Sequence, residues 1–188
     1  MSCYANDLRE RRNLNPRDMG MNKQTANLHG QVDWKAAILA GLIAGVVFLM
    51  MEMILLAVTG ESPWAPPRMM AAMVMGDGVL PPPATFDLMI MMVAMVVHVI
   101  LSILLAVVFA WILSRWRLSA GAAVALGGAF GLLVYLVNFY PVAAILFPWF
   151  AMARNWISII SHVAFGAVLA WAYLALARSE RGAAHPHA

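Results

Sequence analysis

FDLMIMMVAMVVHVILSILLAVVFAWIL, residues Phe86–Leu113, is one apolar run with a single histidine near its middle. It exceeds the roughly 20 residues that a helix needs to cross a ~30 Å hydrocarbon core. Three other stretches match it: Ala36–Val58, Leu118–Phe147 and Trp156–Ala177. Together they predict an all-α fold, a four-helix transmembrane bundle over residues 34–177, with polar tails at 1–33 and 178–188. Composition agrees. The chain is 63% hydrophobic and 11% charged, where a soluble domain carries about a quarter charged residues.

The net charge of +3 follows from orientation in a membrane and does not point to nucleic acid. Lys and Arg gather before the first span (Arg9, Arg11, Arg12, Arg17, Lys23, Lys35), between spans two and three (Arg115, Arg117) and after span four (Arg178, Arg181). The other two connections hold only Arg68 and Arg154. The positive-inside rule makes the basic side cytoplasmic. Both termini are then inside, as an even number of spans requires. Cys3 is the sole cysteine, so no disulfide forms within the chain. The first apolar run is too long for a signal-peptide core and is expected to act as its own uncleaved signal. A bacterial inner membrane is the simplest home.

Residues 1–33 read as a flexible tail able to order on a partner, with one or two helical turns possible at Asp7–Arg12. The outer loop, about Thr59–Thr85, is rich in proline (Pro63, Pro66, Pro67, Pro81, Pro82, Pro83). Its segment Arg68–Met75 is apolar and too short to span. It predicts a short helix at the interface or tucked into the bundle mouth, with Pro67 in its first turn and Gly76 at its end. The tight connections around Ser114–Leu118 and Pro148–Asn155 predict that consecutive spans pack as antiparallel neighbours. Gly41 and Gly45 on span one, and Gly127 and Gly131 on span three, let helix backbones approach closely. Packing within the bundle is the plain reading of these glycines, and docking of a neighbouring subunit the alternative.

Each span carries one polar side chain, in the outer half or near the midplane: Glu52, His98, Asn138 and His162, with Arg68 nearby as a possible loop contact. Such groups are costly in hydrocarbon and pair with one another or line a cavity. The plain reading is a hydrogen-bonded cluster of Glu52 with His98 or His162, bridged by Asn138, that fixes helix register. Three functional readings stand beside it. His98 and His162 could be axial ligands of haem b. The outer-half methionines, Met91 and Met95 with the histidines above all, offer thioether and imidazole ligands for copper. Glu52 and the histidines could instead line a proton or ion path, or a pocket for a quinone or lipid headgroup. Pro141 frees the carbonyl of Val137 and is expected to kink span three beside Asn138. The cytoplasmic half lacks matching polar residues, so a pocket open to the outside suits one protomer better than a complete route. His185-Pro186-His187 is a weak metal lure on a tail.

At FLMMEMILL, APPRMMAAMVMG, VVHVILS, NFYPVAAILFPWF and SHVAFGAVLAW the chain resembles a group of small four-span bacterial inner-membrane proteins without an assigned activity, some of them labelled as symporters. The likeness covers about residues 35–175. It implies a shared four-helix fold and a shared role for Glu52, Arg68, His98, Asn138 and His162. At 188 residues the chain is far too short for a full sodium–solute symporter. No catalytic motif is present, and no enzyme activity is expected. The leading expectation is an accessory subunit of a larger bacterial respiratory or redox complex, held by heterologous membrane-protein partners. The runner-up is a cofactor- or ligand-binding protein, with haem b ahead of copper or quinone. A small homo-oligomeric transporter is the third.

Overall fold

The computed structural model describes residues 32–184, with side chains up to residue 177. Cys3, Asp7–Arg12 and the His185/His187 pair lie outside the described residues. Helix α1 is Trp34–Val58, α2 is Ala65–Met75, α3 is Leu88–Leu113, α4 is Ala120–Ile145 and α5 is Trp156–Ala184. α1, α3, α4 and the Trp156–Ala177 part of α5 are each long and apolar enough to cross a membrane. Among the described residues there is no β-strand.

Each long helix begins where a short polar side chain caps it. Asp33 accepts from the Ala36 N–H at 3.0 Å, Asp87 from Ile90 at 3.0 Å, Ser119 from Ala122 at 3.3 Å and Asn155 from Ser158 at 3.0 Å. These caps satisfy amides that no carbonyl inside the helix can reach. The Asp33 N–H also donates to the Tyr173 hydroxyl at 3.2 Å, which ties the start of α1 to the last turns of α5. That end of the bundle is called the tail end below, and the opposite end the lid end.

The helices stand in the order α3, α1, α5, α4. α1 packs on both α3 and α5, α5 packs on α4, and α2 lies against α3. Small residues set the spacing. A β-carbon on Gly45 would stand 2.6 Å from the Ser102 hydroxyl, and one on Gly41 would stand 2.8 Å from the β-carbon of Ala106. Between α4 and α5 the approach is closer still. Gly127 lies against the Gly166 carbonyl, Gly131 against the His162 carbonyl, and Gly166 against the Gly127 carbonyl. No side chain of any size fits there, so backbone meets backbone, as close packing in lipid favours. The glycine faces are therefore filled from within the chain.

One expectation needs correction. The short turn between α3 and α4 does not make them packed neighbours along their length. Phe109 and Phe130 meet at a ring separation of 5.3 Å towards the tail end. There the buried residues of all four long helices, including Phe109, Ala123, Phe165 and Leu169, form one apolar core. Towards the lid end α3 follows α1 and α4 follows α5, and the two diverge. A turn of a few residues fixes where two helices start, not how they tilt afterwards.

α2 closes the lid end. Pro66 and Pro67 occupy its first turn, where a missing N–H costs nothing. Gly76, at φ +84°, ends it in a backbone region that other residues rarely adopt. α4 contains the break expected at Pro141. It takes the form of a widened π turn over Asn138–Val142. Proline has no N–H to give and its ring crowds the preceding turn, so the helix inserts extra backbone there.

Candidate functional site

Glu52 is buried on α1. One of its carboxyl oxygens, Oε1, accepts a 2.8 Å hydrogen bond from the Ser158 hydroxyl of α5. One turn later on α5, His162 Nδ1 lies 2.7 Å from the Ser158 carbonyl. A carbonyl only accepts, so Nδ1 carries the proton, and the neutral ring keeps Nε2 as its acceptor. His98 on α3 lies 2.9 Å from the Gly45 carbonyl through Nε2, which places its proton on Nε2 by the same argument. Asn138 sits at the start of the π turn of α4.

Glu52, Asn138 and His162 line one cavity of about 150 Å³ at the lid end. Its other walls are apolar: Phe48 on α1, Leu101 and Leu105 on α3, Phe139 on α4, and Met69, Met70 and Met73 on the lid. A smaller cavity of about 50 Å³ adjoins it. Asn138 and His162 line this one too, together with His98 and Ser102. Beyond Glu52 lies an outer vestibule of about 370 Å³, walled by Thr59, Glu61, Asn155 and Trp156. Glu52, Pro66, Met69 and Ala153 belong to both vestibule and cavity. Glu52 thus stands where the polar-walled vestibule meets the apolar-walled cavity.

The lid is held by polar contacts at its edges. Arg68, buried, donates from Nε to the Thr85 carbonyl at 2.8 Å, from one terminal nitrogen to the Val79 carbonyl at 3.1 Å, and from the other to the Thr85 hydroxyl at 3.3 Å. It fastens α2 to the proline-rich segment and does not enter the cavity. Trp149 Nε1 donates to the Met69 carbonyl at 3.0 Å, joining the lid to the loop before α5. In that loop Arg154 donates from Nε to the Phe139 carbonyl at 2.6 Å, and its guanidinium lies 4.6 Å from the Tyr140 ring centre. It supports the backbone where Pro141 interrupts the helix.

The structure brings together three of the four intramembrane residues expected from sequence and places the fourth beside them. It does not form the expected bonds. Glu52 pairs with Ser158, each histidine pairs with a backbone carbonyl, and Asn138 bridges nothing. His98 and His162 do not fit as a haem b pair. Phe48 stacks on His98 at 5.7 Å and meets His162 edge-on at 4.9 Å, and Tyr135 and Phe139 also pack on His162. The cavities beside the two rings are far smaller than a porphyrin. The copper reading loses its nominated thioethers: Met95 packs in the apolar cluster of Ala71, Ile90 and Ala94, and neither it nor Met91 lines the cavity. Met69, Met70 and Met73 are the thioethers that do. Among the described residues no group of three His, Cys, Asp or Glu side chains could hold a metal ion.

Sequence reasoning left two residues of this site without a role. Ser158 lies one turn before His162 on the same stripe, and a hydroxyl there is a natural partner for a buried carboxyl on a neighbouring helix. Phe48 lies four residues before Glu52, but nothing in its type separates it from other span residues. No protein-family model matches the chain, and no curated protein or solved structure matches it either.

Proposed function

We propose that this chain is a multi-pass protein of a bacterial inner membrane, with both termini cytoplasmic, that binds a small uncharged molecule in the cavity under α2. The basic residues before α1, after α3 and near the end of α5 support the orientation. The observation that carries the binding reading is the cavity itself. Three helices each deliver one polar side chain into an otherwise apolar, lidded space of about 150 Å³. Binding sites for small molecules have this character: apolar walls and a few placed polar groups. An engineered cavity of about that volume accommodates benzene, so the space suits one six-membered ring.

Transport by a single protomer has less support. The polar lining ends at His98 and Ser102, and the apolar core of the tail end lies beyond it. An accessory role in a respiratory or redox complex is compatible with a ligand site, but the glycine faces that could have docked a subunit are used internally. Native mass spectrometry of the protein, extracted from its own membrane in mild detergent, tests the reading. Binding predicts one extra small-molecule mass per chain, lost in Asn138→Leu. A bare chain, or an extra mass untouched by that change, refutes it. Bound partner proteins in fixed ratio would restore the accessory-subunit reading.

A further inference from the structure

The cavity wall is uneven. On the α1 and α5 side, Phe48, Glu52 and His162 are buried and Leu49 alone is half-buried, and Phe139 on α4 is buried too. On the seam between α3 and α4 the lining residues Leu101, Leu105, Asn138 and Val142 are only half-buried. That seam is where the two helices diverge, above the Phe109–Phe130 contact. It faces the surroundings of the bundle, which in a membrane are lipid tails. A molecule dissolved in the bilayer therefore has a sideways approach, separate from the vestibule that meets the cavity at Glu52.

The lining also selects by chemistry. It contains no Lys or Arg. The nearby Arg68 and Arg154 are committed to carbonyls. A phosphate headgroup would meet the Glu52 carboxyl with no counter-charge, at a cost that a buried charge cannot recover without a partner. The cavity's free groups are mostly acceptors, and the Asn138 amide alone brings donors. Glu52 uses Oε1 for Ser158 and has Oε2 left, and His162 has Nε2 left. Acceptors require a ligand that brings hydroxyl donors. The volume suits one ring, and Phe48, Phe139, Phe150 and the lid methionines provide flanks for a flat one.

Building on the ligand-binding reading, we infer that the ligand is an isoprenoid quinol. Its hydroquinone ring enters from the bilayer between α3 and α4 and is held among Glu52, Asn138 and His162. Its tail stays in the seam. The ring supplies two hydroxyls to the acceptors. The apolar tail, too large for the cavity, occupies the half-buried wall of Leu101, Leu105 and Val142. The oxidised quinone can accept from the Asn138 amide but has no hydroxyl for Glu52 or His162, and it binds less well.

The test uses the full chain in lipid nanodiscs, with decylubiquinol, decylubiquinone and tail-less trimethylhydroquinone as probes under anaerobic conditions, and binding read by equilibrium titration. Decylubiquinol is expected at one per chain, with affinity at least about tenfold above decylubiquinone, the worth of roughly one hydrogen bond. Leu105→Trp fills the seam. It should weaken decylubiquinol at least about tenfold more than trimethylhydroquinone, because only the tailed probe must place a chain where the indole sits. Leu101→Trp serves if Leu105→Trp does not fold. Equal affinity for quinol and quinone, or equal weakening of tailed and tail-less probes by the seam variant, overturns the inference. Failure of all three probes, with another uncharged molecule bound to protein from its native membrane, also overturns it but leaves the ligand-binding reading standing. Failure with nothing bound removes both.

Discussion

Gly131→Ala adds one methyl group to α4, and the structure sets its cost. The new β-carbon would overlap the His162 carbonyl oxygen, with the Gly166 amide nitrogen 3.2 Å away. Both are backbone atoms and cannot swing aside, so α4 and α5 must separate along their closest stretch. Overpacking of this kind costs about 1–3 kcal/mol. The gain in helix propensity from Gly to Ala returns at most about 1 kcal/mol. With the full return, a net loss of up to about 2 kcal/mol follows. Gly128→Ala, on the same helix, is the control. Its β-carbon would meet the Val163 Cγ1 at an ordinary 3.6 Å, so propensity alone acts and the change is neutral or slightly stabilising. Gly166→Ala strains the same seam against the Gly127 carbonyl, and opening the seam for one methyl makes room for the other. The double variant Gly131→Ala/Gly166→Ala should therefore lose less than the sum of the two single changes. Reversible unfolding in mixed micelles, followed by helicity and tryptophan fluorescence, measures all four variants. Equal stability of Gly131→Ala and Gly128→Ala would refute the packing argument, and strict additivity in the double variant would refute the shared seam.

Three further outcomes follow from the polar contacts. Ser158→Ala removes the donor that Glu52 accepts from and should destabilise by about 1–3 kcal/mol in the same assay, the cost of stranding a buried polar group. No loss would mean that Glu52 has another partner. Arg154→Lys keeps the charge but not the planar guanidinium over Tyr140. Amide hydrogen exchange over Asn138–Val142 should accelerate about tenfold, for about 1.4 kcal/mol less protection, and unchanged exchange would show that the π turn stands without it. Arg68→Met removes three hydrogen bonds between α2 and the proline-rich segment. Limited proteolysis should then cut between Gly76 and Asp87 at least about fivefold faster, for about 1 kcal/mol less protection against local opening, while a native-like rate would place the clamp elsewhere.

The span positions were legible because hydrocarbon imposes a length and a composition on whatever crosses it. Pro67 and Gly76 bracket α2 as their backbone preferences require, whereas the starts of α3 and α4 were not legible: Asp87 and Ser119, read inside spans two and three, cap them instead. The convergence of Glu52, Asn138 and His162 was also legible, since each costs too much to face lipid. Their partners were not. A buried carboxyl accepts equally well from a histidine or a serine, and only the rotation of α5 about its axis decides in favour of Ser158. Arg68 carries no sequence mark to separate a cavity ligand from a loop clamp. The divergence of α3 and α4 was hidden for a different reason. It follows from how flush α4 lies against α5 through Gly127, Gly131 and Gly166: the short connection Pro148–Asn155 predicted that contact, but not that it would draw α4 away from α3.

The helix order α3, α1, α5, α4 bears on how the chain is made. α1 emerges from the ribosome first, yet much of its buried face rests on α5, the last helix to be synthesised. The serine that satisfies Glu52 is 106 residues downstream, and so Glu52 must wait in the bilayer or its translocation machinery until nearly the whole chain exists. An arrested chain ending before α5 would carry an unpaired carboxyl on α1 and an uncovered glycine face on α4. Quality control acting on incomplete membrane proteins would find both signals on the same nascent molecule, and the arrival of one helix would erase them together.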